Sequence, residues 1–278
     1  MEVRFMSLRI NQNISAMNTH RQLLRTDKML SNSLERLSSG LRINRAADDS
    51  AGLAISQRLR SQVEGMKMAS QNAEQAKNVV QTAEGFLNEI HNMLGRMRVL
   101  AVQAASDTVA EDDRTSLHAE FALLRDEIDR IATAAEYNTK SLLDGTFAGT
   151  FQIGAQGNEN NRISFEIESI SSVNLGIDQS DITTLSGAFT ALNELDSAID
   201  DVSTTRSNLG TIQNRLAYTV ASVDNTAENL ASSESAIRDL DISDEITSFT
   251  KSQILVQAGV SMLAQANAVP QNVLALFR

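Results

Sequence analysis

The sequence predicts a mainly α-helical protein in which long helices from both chain ends form an α-helical bundle or coiled coil, with a small β-hairpin region in the middle. Three observations carry this. Apolar residues recur at steps of three and four over stretches far longer than an ordinary globular helix. Proline, which breaks helices, occurs once in 278 residues, at Pro270. Period-two alternation, the mark of a strand, is confined to one segment near the middle.

The elements follow in order. Leu23, Leu30 and Leu37 recur at sevens, and Leu34 and Leu41 are expected at the alternate seam positions. From Ile55 the stripe runs Leu59, Val63, Met66, Ala73, Val80, Ala83, Leu87, Ile90, Leu94, Met97, Ala101 and Ala104. That predicts one helix of about 50 residues, roughly 75 Å long, which must lie against other long helices. Gly65, Gly85 and Gly95 lie inside it, each at about 1 kcal/mol relative to alanine, and are expected to mark close packing or gentle flexing. Glu111, Asp112 and Asp113 open another helix, where its dipole favours acids, and Leu117, Phe121, Leu124, Ile128 and Ile131 continue it. Phe151 and Ile153 alternate before the turn-rich GAQGNENN, and Ile163, Phe165 and Ile167 alternate after it, which predicts a β-hairpin. Serine, threonine and glycine lead to a second long helix through Ala188, Leu192, Leu195, Ile199, Val202, Leu209, Leu216, Val220, Val223 and Leu230. The last helix reads Ile242, Ile246, Phe249, Gln253, Val256, Val260, Leu263 and Asn267. We expect residues 1–45 and 236–278 to pair as a helical, coiled-coil part and residues 46–235 to form the middle, with a β-hairpin at about 140–185.

Composition excludes several functions. A net charge of −11 opposes nucleic-acid binding. The absence of cysteine removes disulfides, thiolate nucleophiles and thiolate metal sites. MEVRFMSLRINQN has no apolar core segment, so no secretory signal peptide is expected. The stretch between Lys251 and Arg278 carries no charge, yet Gln253, Gln257, Ser261, Gln265, Asn267, Gln271 and Asn272 interrupt it, so membrane insertion is not expected.

No chemistry assembles either. His20, His91 and His118 stand apart, without zinc spacing, and read as surface or packing histidines. The loop LSSGLRINRAADDSAGLAIS (37–56) lacks the phosphate-loop pattern; its Arg42 and Arg45 beside Asp48 and Asp49 read as exposed ion pairs. RDLDISDE (238–245) has Asp244 where a calcium loop needs glycine, and its acids read as caps of the last helix. Asn13-Ile14-Ser15 is a chance sequon. We therefore expect no catalytic, cofactor-binding or metal-binding residue and no cofactor. The last helix carries more apolar surface than one side can hide. Identical subunits could cover it, and a contact that does not close yields an open helical filament.

The two ends are similar to bacterial flagellins. The N-terminal part has SLERLSSGLRIN (33–44), ADDSAGLAIS (47–56), QTAEGFLNEI (81–90), AVQAA (101–105) and EIDRIA (127–132). The C-terminal part has LGTIQNRL (209–216), ENL (228–230) and TKSQILVQAGVSMLAQANAVPQNVLALFR (250–278). The resemblance implies a structural subunit that self-assembles into the flagellar filament for motility. It implies that the paired terminal helices (1–45 and 236–278) are an inner helical domain and the middle (46–235) an outer one, and places Leu23, Leu30, Leu34, Leu37, Val256, Val260, Leu263 and Leu274 in filament assembly. The implied partners are further copies of the chain, a flagellar export chaperone, the type III export apparatus, and the filament cap and junction proteins. Such proteins travel unfolded through the filament's central channel, which accounts for the absent signal and cysteine. The polar strip Gln253, Gln257, Ser261 and Gln265 is expected either to line that channel or to hydrogen-bond between helices.

Only about forty residues separate Leu143 from the C-terminal helices, so the large variable insert of many flagellins is missing. The short middle and RMRVLAVQ also resemble spirochaete core flagellins, whose filaments are periplasmic. An extracellular filament is expected, with a periplasmic one as the alternative. Residues Met1 to Phe5 precede the family-like start at Met6. Some flagellins are bound by an innate immune receptor, and LGRMRVLAVQ (94–103) matches that contact at Arg96 and Leu100, with Glu120 on the next helix. Gly95 and Val99 stand where strongly recognised flagellins usually carry glutamine and glutamate; the alternative is ordinary surface residues. The rival functions are a hook–filament junction protein, whose family does not usually end in LAQANxxPQxVLxLxR, and a cytosolic coiled-coil scaffold.

Overall fold

The computed structural model describes residues 12–276, with side chains as far as Val269. Five long helices dominate: α1 (Ile14–Ser39), α2 (Ser50–Ala104), α3 (Glu111–Ala134), α4 (Leu185–Arg238) and α5 (Ile242–Leu276). Between α3 and α4 lie two antiparallel hairpins, β1 (Glu136–Tyr137) with β2 (Lys140–Ser141), and β3 (Ala148–Gln152) with β4 (Arg162–Glu166). Backbone contacts divide the chain into two compact units, residues 1–60 with 231–278, and residues 61–230. These units part within α2 and α4, each of which runs unbroken across the division.

Side-chain caps start α1, α2 and α5. Asn13 Oδ1 accepts the Ala16 N–H (3.0 Å) at α1. Asp49 Oδ1 accepts Gly52 N–H (2.9 Å) at α2, and Asp241 Oδ1 accepts Ser243 N–H (2.9 Å) at α5. Each satisfies a backbone donor that the helix itself cannot. Gly40 closes α1 in the left-handed region, φ 71°, its N–H donating to Arg36 O.

In residues 61–230, α2 contributes the central stripe: Ala73, Ala76, Val80, Ala83, Leu87, Ile90, Leu94, Met97, Ala101 and Ala104 are buried at steps of three and four. Ala188, Ala191, Leu195, Ala198, Val202, Leu209 and Leu216 of α4 and Phe121 and Ile128 of α3 join the same core. Ile55, expected to open the α2 stripe, is exposed; Gly52 and Ser56 take the inner positions there.

The β3–β4 hairpin caps this core. Its register pairs Phe151 with Ile163 and Gly149 with Phe165, so Ile163, Phe165 and Ile167 turn inward while Phe147 and Phe151 flank Phe165 at 5.6 and 5.4 Å. The serine-rich segment that follows is packed rather than loose: Ile170, Leu175, Ile177 and Ile182 are buried. Asp129 pins it, accepting Ser172 N–H (2.7 Å) and Oγ–H (2.6 Å), and Arg125 donates to Asp178 O (2.8 Å). Of the interior glycines, Gly65 marks close packing, since a Cβ there would lie 2.9 Å from Ala155 Cβ; Gly85 and Gly95 face open space.

Candidate assembly surface

Within the unit formed by residues 1–60 and 231–278, α1 and α5 pair antiparallel. Asn13 Nδ2 donates to Ala266 O (2.7 Å), Leu23 lies over Gly259, and Arg36 Nη1 is 3.7 Å from Glu245 Oε2. The inward positions of α1 are Ala16, Thr19, Leu23, Thr26, Leu30, Ser33 and Leu37; those of α5 are Glu245, Phe249, Ser252, Val256, Gly259, Leu263 and Ala266. Both sets follow a three-four repeat. In this register four bulky residues fall level with small ones, Leu23 with Gly259, Leu30 with Ser252, Val256 with Thr26, and Phe249 with Ser33, while Leu37 falls level with Glu245.

This corrects the expected phase of both helices. Leu34, placed in the seam from sequence, is 53% exposed, and Thr26 and Ser33 are buried instead. Leu41 leaves the helix and bridges to Asp239. On α5, Ile246, Gln253, Val260 and Asn267 are exposed, while Ser252 and Gly259 face α1. Small residues allow two backbones to approach closely, and Thr26 keeps its hydroxyl satisfied by donating to Gln22 O (3.0 Å). Leucine periodicity alone misses this, because two serine-sized positions outweigh one leucine in setting which face fits.

The consequence is a hydrophobic exterior. Ile14, Met17, Leu24, Met29 and Leu34 on α1 are exposed, as are Ile242, Ile246, Ile254, Leu255, Val260, Met262 and Val269 on α5. Single exposed apolar residues are ordinary; so many on two paired helices mark an interaction surface. Of the expected assembly residues, Leu23, Leu30, Leu37, Val256 and Leu263 line the internal seam, Leu34 and Val260 face outward, and Leu274 lies beyond the described side chains. Gln253, Gln257, Ser261 and Gln265 are all exposed on α5.

The expected ion pairs of the 37–56 loop are rearranged. Asp48 Oδ2 accepts the backbone N–H groups of Asn44 (3.2 Å) and Arg45 (3.0 Å), which, Arg45 first, hold its carboxyl below the usual range. Arg45 pairs with Glu35 (2.9 Å), and Arg42 turns to the carbonyl of Ile237. Carboxylates next to free backbone donors bind those first, since the donors are fixed in place.

In residues 61–230, Arg96 Nε and Nη2 donate to Glu120 Oε1 (2.9 and 2.7 Å), forming an exposed ion pair. Leu100 does not join them. It is 1% exposed, in the buried stripe of α2, and offers no surface to a receptor. His20 is exposed; His118 stacks on Phe121 and accepts from Ile182 N–H (3.5 Å). A cleft of about 640 Å³ is lined by residues that include Gln75, Tyr137, Lys140, Phe147 and Phe151.

A paired-helix unit that turns large aliphatic side chains outward defines a self-assembling structural protein. Comparison with known proteins gives its family. The bacterial flagellin N-terminal helical region matches residues 10–148, and the C-terminal helical region matches residues 192–277. A flagellin of Halalkalibacterium halodurans is 44% identical over 270 residues, covering 97% of this chain and 99% of that protein. A flagellin of Treponema pallidum is 42% identical over 286 residues, covering 97% and 99%. A solved structure from Vibrio parahaemolyticus, assigned to the flagellar hook-associated class, shares the fold at TM-score 0.58, with 13% identity over 69% of this chain and 100% of that one. The chain belongs to the bacterial flagellin family, and is a structural subunit of the flagellar filament.

Proposed function

We propose that the α1–α5 unit is the part of the subunit that polymerises, and that residues 61–230 form its outward-facing body. The observation that supports this is the exposed apolar exterior of α1 and α5, set against the buried core of residues 73–216. A seam of small residues leaves the bulky aliphatic groups free for neighbouring copies. Exposed Gln253, Gln257, Ser261 and Gln265 then wind along α5 as the wall of a central channel. An uncharged polar wall holds a passing unfolded chain weakly, whatever its charge. Export as an unfolded chain needs a chaperone that covers the apolar surface beforehand, the type III apparatus to drive it, a cap to shelter folding at the tip, and junction proteins at the base.

Replacing Ile254 and Met262 together by aspartate tests the assignment. The full-length variant keeps the thermal transition of residues 61–230 but fails to elongate filament seeds. Normal elongation overturns the proposal. For location, the reading is an extracellular filament; labelling of intact cells by a membrane-impermeant amine reagent checks it, and protection of the subunit would place the filament in the periplasm. The Arg96–Glu120 pair, with exposed Val99 one turn further on, is the surface an innate immune receptor would meet, without Leu100.

A further inference from the structure

The α1–α5 seam repeats itself. Leu23 and Leu30 of α1 meet Gly259 and Ser252 of α5, and both series recur at sevens. Sliding α5 by one heptad, about 10 Å, would put Gly259 against Leu30 and Ala266 against Leu23. Each layer would still set a bulky residue on a small one. Only one heptad of overlap would be lost, so the seam distinguishes poorly between registers.

Non-repeating contacts are few: Asn13 Nδ2 donates to Ala266 O (2.7 Å) at one end of the seam, and the others lie at the opposite end. There the turn after α1 and the turn before α5 are joined along their backbones. Arg42 N–H donates to Arg238 O (2.7 Å), Leu240 N–H donates to Gly40 O (3.0 Å), and Leu41 bridges to Asp239. The Arg42 guanidinium donates to Ile237 O, the one side-chain hydrogen bond described between the two turns. Gly40, left-handed at φ 71°, aims its carbonyl into this clasp, and a bulkier residue there is strained. Just inside, Arg36 reaches Glu245.

We propose that Arg42 is a register-setting residue. By fastening its turn to residues 237–240, it selects one of several near-equivalent pairings of α1 with α5. It thereby fixes which aliphatic groups each subunit shows to the next copy. Specificity of this kind comes from excluding close alternatives rather than from added affinity.

The chain has no cysteine, so the register can be read by introduced pairs in the full-length protein. Leu23→Cys with Gly259→Cys reports the native pairing, and Leu23→Cys with Ser252→Cys, or with Ala266→Cys, reports a slip in either direction. Each pair is oxidised in assembled filaments. Mixing with isotope-labelled subunits separates bonds within a chain from bonds between chains by mass spectrometry. With Arg42 present, the 23–259 bond is expected to exceed either slipped bond at least tenfold. Arg42→Ala should bring a slipped bond to a comparable yield, and Arg42→Lys should restore the native preference in part. If Arg42→Ala leaves the 23–259 bond dominant, Arg42 does not set the register. If it lowers all three bonds alike, Arg42 only stabilises the unit and the proposal likewise fails.

Discussion

At the scale of single residues, backbone geometry explains what side-chain patterns leave unmarked. Asn138 and Thr139 form the two-residue turn between β1 and β2, with φ of 49° and 65°. Such turns favour glycine, and a β-branched threonine at positive φ is strained. Thr139→Gly is therefore expected to raise stability by roughly 1 kcal/mol, measured by urea unfolding. The α2 glycines form a contrasting series. Gly85→Ala and Gly95→Ala enter open space and should each stabilise by about 1 kcal/mol, whereas Gly65→Ala must displace Ala155 and should gain nothing or lose. All three glycines are alike in the sequence; only the neighbour at 2.9 Å separates them. Carboxylates add a pH dependence. Asp196 is held below its usual pKa by its hydrogen bond to Arg98, Asp144 by the Thr146 hydroxyl and backbone N–H, and Asp181 by the backbone N–H of Thr183. A folded pKa below the unfolded one stabilises fully above the unfolded value, near 4, and this is lost as pH falls through the folded value. The melting temperature should stay level from about pH 7 to 5 and drop below about pH 4. Asp196→Asn should shallow that drop in a calorimetric pH series.

At the scale of elements, period was legible and phase was not. The sequence showed α2 and α4 because each buries one apolar stripe against a large core, and hydrophobicity alone marks such a stripe. The α1–α5 seam is different. It is two helices deep, so fit matters more than apolarity, and Thr26, Ser33, Ser252 and Gly259 hold inward positions that a hydrophobic pattern assigns to Leu34 and Val260. Widening this seam should separate the helices. In Gly259→Leu the first added carbon lies 3.1 Å from Leu23 Cδ1 and the larger side chain must displace that leucine, so α5 should lose protection from hydrogen exchange while α2 keeps it. The β3–β4 hairpin was plain from its alternating Ile163, Phe165 and Ile167. Packing of the 170–182 segment was not, because Ile170, Leu175, Ile177 and Ile182 share no single period and are held by Asp129 and Arg125 from another element.

At the scale of the whole molecule, charge and apolar surface are divided between the two units. Residues 61–230 hold twenty-five acidic and eleven basic side chains, while the remainder of the chain holds ten acidic and thirteen basic. Packing many subunits together brings the acidic bodies near one another, and salt screens that repulsion. A fragment of residues 46–235 retains the buried core of α2, α3 and α4. It should be a soluble, helical monomer that melts cooperatively and does not polymerise on filament seeds. Circular dichroism and light scattering check both halves of that expectation. A fragment that polymerises would move the interface into the body, and an unfolded one would make the end helices part of its core.

The sequence alone determined the mainly helical class, the long helices, the hairpin, the flagellin resemblance and a surface in need of partners. These depend on periodicity and motif, which are local along the chain. Tertiary structure decided which face of α1 meets α5, that Leu100 is core while Arg96 and Glu120 are surface, and that Asp48 and Asp49 bind backbone rather than arginine. Each of those outcomes depends on how closely a second element approaches. Approach is set by the smallest side chains and by fixed backbone donors, which a reading of hydrophobic and charged residues passes over.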